Sequence, residues 1–188
     1  LVGPSGSGKS TLLRVVADLD GTVLALHRMS DATVFSIDVA VAKARNVIYF
    51  SNPAGNSDLP GVPAGTAVTN RTIGFGSQPL FTPGIDGSGP GPFFNLFLFD
   101  LAHPCTQGSQ AANANQNGVV FFPGSLPLYK NGVLVGGLGV SGDGVDQDDF
   151  VTAAGAQGFE APTAMRADQV EVDGVRLPYQ KFPRNPTD

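Results

Sequence analysis

Leu128-Tyr129-Lys130-Asn131-Gly132-Val133-Leu134-Val135-Gly136-Gly137-Leu138-Gly139-Val140 decides the fold class. Two β-rich runs flank Asn131-Gly132, and Asn-Gly supplies the consecutive positive φ angles of a type I′ turn, so the stretch reads as a β-hairpin. Gly136, Gly137 and Gly139 then strip side chains from the second strand, as needed where another backbone or a flat ligand comes close. A bulge or tight packing of a helix on the sheet answers the same pattern.

Upstream, Leu12 to Leu19 and Thr22 to His27 are β-rich runs on either side of Asp20-Gly21, a second hairpin. From Ala32 the period changes: Ile37, Ala40, Val41, Ala44, Val47 and Ile48 recur at three-to-four spacing, predicting an amphipathic helix capped by Ser30 or Asp31 and ending near Asn52-Pro53. Downstream, helices are expected over Asp146 to Ala156 and Ala161 to Ala167, followed by a third hairpin over Val170 to Leu177 with Asp173-Gly174 at its turn. Hairpins interleaved with helices indicate an α+β domain, a mainly antiparallel sheet with helices packed on it, in preference to parallel βαβ winding.

The stretch from about residue 53 to 117 differs in kind, a long Pro/Gly-rich insertion that reads as ordered but irregular chain. Its run Phe93-Phe94-Asn95-Leu96-Phe97-Leu98-Phe99 carries too much apolar surface to lie free in water, so it packs on the domain or on a partner chain. The second outcome gives an alternative function, a structural protein that assembles through this segment.

Composition narrows the function classes. A chain of 188 residues suits one domain, read as residues 15–188 behind an atypical leader, 1–14. A formal charge of -5 disfavours nucleic acid, whose phosphates demand clustered Lys and Arg. Cys105 is the single cysteine, which excludes an intramolecular disulfide and a Cys-based zinc centre. No apolar run reaches the ~20 residues of a membrane helix, so a soluble chain is expected. Position 1 is Leu and not Met; the compartment stays open, with secretion or a periplasmic address following if a signal peptide was removed.

Gly3-Pro4-Ser5-Gly6-Ser7-Gly8-Lys9-Ser10 matches the P-loop pattern G-x-x-x-x-G-K-[ST]. In such a loop, backbone amides around Gly3 and Gly8 cradle phosphates, Lys9 reaches the β/γ-phosphates and Ser10 holds Mg²⁺. Leu1 to Asp20 resembles the Walker A segment of ABC-transporter ATPases. The chemistry further requires a buried strand before the loop, a full helix after it and a later apolar strand ending in Asp. Two residues precede Gly3, the hairpin turn at Asp20-Gly21 cuts off the helix, and no Walker B strand follows. The segment reads as a Gly/Ser leader, with nucleotide binding as the lesser alternative.

From about Val15 to Pro186 the sequence resembles the HbpS/GlcG-like family in a longer form with a central insertion. The resemblance lies in Asp20 to Met29, Ser36 to Arg45, Leu126 to Gly132, Val135 to Asp143, Gln147-Asp148-Asp149 and Gly158 to Pro162. It implies a profilin-like fold, assembly into homo-oligomers, and haem or a related tetrapyrrole as a small-molecule ligand for some members. Family domains usually open with an amphipathic helix, and here the P-loop-like segment stands in that place.

A haem site needs an apolar slot and an axial ligand such as His, Tyr, Met or Cys. His27 is the first candidate, with Arg28 beside it to pair a propionate; His103, next to Cys105, and Tyr129 follow, and Gly136 and Gly137 could admit a flat ring. Each also has a structural reading: strand end, loop hydrogen bond, hairpin packing. Asp143, Asp146, Asp148 and Asp149 lack the EF-hand spacing, so they read as caps of a helix start, with no metal site. No Gly-x-Ser-x-Gly elbow or activated nucleophile stands out, and a non-catalytic binding protein is expected.

Overall fold

The computed structural model describes residues 12–55, 57–80, 89–142 and 144–181. At its centre lies a four-stranded sheet in the order β2-β1-β4-β3, built from β1 (Leu12–Ala17), β2 (Val23–Arg28), β3 (Ser125–Lys130) and β4 (Val133–Gly142). Both hairpins form, with Val15 opposite Leu26 and Leu126 opposite Leu138. Asn131 and Gly132 take φ of 53° and 77°, the two positive angles a type I′ turn demands. Antiparallel pairing of β1 with β4 joins the hairpins into one sheet and leaves β2 and β3 as its edges.

Helix α1 (Ser36–Phe50) packs on β4 and β1. A Cβ at Gly137 or Gly139 would collide with the carbonyl oxygen of Ala44 or Ala40 on that helix. The close approach that these glycines permit is therefore taken by α1. Val15, Ala17, Ala40, Ala44 and Ile48 form a small core beneath it. Leu138 alternates with the glycines, so it stands on the other face, where it meets Gly155 of α4 (Val145–Gly155). A larger core continues from there through Leu126, Phe50, Ile73, Phe93 and Tyr179.

Several expectations are corrected. α1 begins at Ser36, not Ala32; Thr33 and Val34 belong to a turn, the N-cap is Phe35 without a side-chain cap, and neither Ser30 nor Asp31 caps the helix. Residues 161–167 give no α-helix but short 3₁₀ turns at Thr163–Met165 and Ala167–Gln169, closed by i→i+3 bonds such as Met165 N–H to the Pro162 carbonyl, because Met165 and Ala167 also bond across to Ala67. Ala67 N–H donates to the Met165 carbonyl, and Ala167 N–H donates to the Ala67 carbonyl. The third hairpin, β5 (Glu171–Val172) with β6 (Val175–Arg176), forms a separate two-stranded ladder.

Two helices lie where irregular chain is expected. α2 (Asn70–Gly76) starts at a capping box in which the Thr69 side chain accepts from Thr72 N–H and Thr69 N–H donates to the Thr72 hydroxyl. α3 (Phe94–Ala102) holds the aromatic run. Phe93 and Leu96 are buried and Phe97 packs edge-on against Phe121, while Leu98, Phe99 and Leu101 stay exposed.

Gly3, Gly8, Lys9 and Ser10 lie outside the described residues, as does Asp143. The chain after the P-loop-like motif is nonetheless plain: Leu12–Ala17 is a strand of the central sheet. A P-loop opens a helix there, so the nucleotide-binding alternative lacks the element that would orient its phosphates.

Candidate functional site

His27 and Arg28 sit on the edge strand β2, all six residues of which are exposed. In the ladder His27 stands opposite Arg14 of β1, so the imidazole and that guanidinium share one face of the sheet. Arg28 points to the other face and donates to the Ala32 carbonyl. Val23, Leu24, Leu26 and Met29 add exposed apolar surface around them. One face of this open edge carries Val23, Ala25 and the His27 imidazole beside Arg14, and the other carries Leu24, Leu26 and Arg28.

Tyr129 lies on β3, at the opposite edge, three strand spacings or about 14 Å away. It is buried, and its hydroxyl has no hydrogen-bond partner among the described residues. Burial pushes its pKa up to about 12 and keeps the hydroxyl out of reach of a ligand at the surface. Gly136 is crowded by the Ala17 carbonyl and Gly137 by α1. His103 follows α3, its Nδ1 3.0 Å from the Phe99 carbonyl and its ring stacked on Phe99 at 4.0 Å. Cys105 is exposed with φ of 72°.

The six candidate residues are therefore divided among three places: the β2 edge, the β3-β4 hairpin and the end of α3. Tyr129, Gly136 and Gly137 share a hairpin, His27 and Arg28 are neighbours on opposite faces of β2, and His27 gains Arg14, which the sequence does not single out, on its own face. Two cavities, of about 390 and about 220 Å³, are lined by none of the six.

Asp146, Asp148 and Asp149 do not cap α4. Its N-cap is Gly144, which makes no side-chain cap bond. Asp146 instead pairs with Arg71 at 2.9 Å and with Lys181, and the Lys181 hydrogen bond, followed by the one from Arg71, holds its carboxyl below the usual range. Asp149 accepts from Arg71 Nε at 2.6 Å and from the backbone N–H groups of Gly124 and Lys181. Asp148 is buried against Lys43 at 3.0 Å, and Lys43 also donates to the Val140 carbonyl at 2.8 Å and lies over the Phe122 ring. Burial pulls the Lys43 pKa down, opposed by Asp148. The cluster ties α1, α2, α4 and the C-terminal segment together. One signal was present in the sequence: Lys43 falls next to Ala44 on the apolar side of α1, where a charge must find a partner.

No curated protein sequence matches the chain. Two crystal structures share its fold. Klebsiella pneumoniae protein ORFY is 21% identical with a TM-score of 0.52, over 80% of this chain and 75% of that one. A PduOC–haem complex is 23% identical with a TM-score of 0.52, over 82% of each. The sequence itself matches the family model described as haem degrading protein HbpS-like over residues 9–157, most of its length. With an antiparallel sheet and packed helices of the same fold as these structures, the chain belongs to the HbpS-like family.

Proposed function

We propose that the protein binds haem or a related tetrapyrrole without transforming it, and works as a homo-oligomer. Membership of a family described by haem chemistry supports this reading, and so does a neighbour of the same fold crystallised with haem. The observation that carries it is the β2 edge, where an exposed imidazole, an opposed guanidinium and apolar side chains share one open strip.

These residues fit the group. His27 would hold the iron through a ring nitrogen, Arg14 and not Arg28 stands on the same face as a cation for a propionate, and Val23 and Ala25 on that face offer apolar contact to the macrocycle. Bound haem supplies a metal centre whose spectrum reports its ligand. The strip gives one wall only, so a second copy of the chain would bury the ring's other face, and the exposed edge strand suits such pairing.

Titration of the purified protein with haemin tests the proposal. A shifted, saturable Soret band is expected, together with its loss in His27→Ala, its retention in His103→Ala, and a larger mass by light scattering in the bound state. An unshifted band, or a wild-type spectrum from His27→Ala, overturns it. The assembly alternative rests on the exposed Leu98, Phe99 and Leu101 of α3. It predicts that Leu98→Asp with Leu101→Asp yields monomers while haemin binding is unchanged.

A further inference from the structure

The larger cavity is separate from the haem reading, since none of the proposed haem residues lines it and the hydroxyl of its one axial-ligand type, Tyr49, is bonded to Asp58. It lies between the β1–β2 turn, α1 and the chain from Gln107 to Asn115, and its volume of about 390 Å³ falls in the range of small-molecule sites. Five side-chain amides line it, those of Asn52, Gln107, Gln110, Asn113 and Asn115, together with Arg45 and the Tyr49 ring.

The wall is held in place before any ligand arrives. Arg45 donates through Nε to the Gly21 carbonyl at 2.8 Å and through its terminal nitrogens to Asn117 and Asn115 at 3.2 and 3.1 Å. Asn115 Nδ2 donates to the Asp20 carbonyl at 2.8 Å. Asn46 Nδ2 donates to Gln107 Oε1 at 2.8 Å, and Gln107 Nε2 donates to Gln110 Oε1 at 2.9 Å. Fixing these side chains in advance lowers the entropy lost on binding.

What is left over defines the ligand. Of the lining residues Arg45 and Asp20 are the charged ones, one of each sign, so the cavity carries no net formal charge to draw in an anion. Among the described residues Gln110 Nε2 and Asn52 Nδ2 carry no partner as donors, and the Asp20 carboxylate carries none as acceptor. Donors and an acceptor in one pocket match hydroxyl groups, each of which both donates and accepts. Tyr49 and Ile48 give apolar patches for C–H faces. We infer that this cavity binds a neutral monosaccharide or disaccharide, with Asn52, Gln110 and Asp20 contacting its hydroxyls.

The test is calorimetric titration of the full chain with glucose, galactose, N-acetylglucosamine, maltose, cellobiose and trehalose, backed by saturation-transfer NMR. At least one should bind with a Kd of about 1 mM or tighter. Gln110→Ala and Asn52→Ala should each weaken it about tenfold, with unchanged melting temperature and unchanged haemin titration. His27→Ala should leave saccharide binding intact, which separates the failure of either site from the other. No binding by any of the six sugars, binding indifferent to both amide variants, or inorganic phosphate held at these residues instead overturns the inference.

Discussion

Removing one partner of the Lys43–Asp148 pair should damage this protein more than any surface change. The Lys43 side chain is fully buried and that of Asp148 nearly so, and the ammonium reaches both the carboxylate at 3.0 Å and the Val140 carbonyl at 2.8 Å. Lys43→Met strands a buried carboxylate; Asp148→Asn strands a buried ammonium. Breaking such a pair from one side costs about 3–5 kcal/mol, set against total stabilities of roughly 5–15 kcal/mol. For a chain of this size each kcal/mol moves the melting temperature by about 2–4 °C, so a fall of roughly 6–20 °C is expected. The double variant removes both charges and should lose less than the sum of the singles, with a coupling above about 1 kcal/mol. Urea denaturation followed by circular dichroism measures all four corners of the cycle. The pH dependence supplies a sign. With Asp148 neutral, the main causes that raise the Lys43 pKa are gone, and only the smaller pull of Asp149 opposes burial, which still lowers it. The unfolded chain then binds more protons than the folded one, so stability of Asp148→Asn climbs as pH rises toward the ordinary lysine value. Single variants within about 0.5 kcal/mol of the wild type, or additive effects, would refute the reasoning.

Tyr129→Phe removes a buried hydroxyl without a partner and should raise stability by about 1 kcal/mol in thermal melts. Tyr129 is raised to about 12, so its contribution is complete below the unfolded tyrosine value near pH 10 and fades as pH climbs toward 12. The wild type should therefore lose stability over that window, and Tyr129→Phe should lessen the slope while Tyr49 and Tyr179, also raised by burial, keep the rest of it. Gly139→Ala forces a methyl into the Ala40 carbonyl of α1 and should cost about 1–3 kcal/mol, read as a lower denaturation midpoint at unchanged slope. Cys105 is exposed and should react with a thiol reagent in the folded protein at the rate of a free thiol.

The fold was legible in the sequence wherever local chemistry dictates backbone. Asp20-Gly21 and Asn131-Gly132 mark the two hairpins, and the glycines of β4 mark where α1 descends on the sheet. Local signals failed where a distant partner decides. The Ala67 backbone turns residues 161–167 from helix into 3₁₀ turns, and Arg71 and Lys181 draw Asp146 away from the α4 start it was expected to cap.

Site residues suffer the same limit in stronger form. His27, Tyr129 and His103 are each chemically capable of holding a metal, yet pairing order puts the first and second at opposite edges of one sheet and the third in the segment between. Period-two alternation says which face a strand residue takes; it does not say which strand ends up as the edge. Arg14 illustrates the gain: nothing near it in sequence points to His27, but antiparallel pairing across Asp20-Gly21 sets them side by side. Edge position then leaves β2 with one neighbour and six exposed residues, so a ligand or a second copy of the chain can reach His27 without displacing any buried side chain. That accessibility separates His27 from Tyr129, whose hydroxyl would have to be uncovered before it could bind iron.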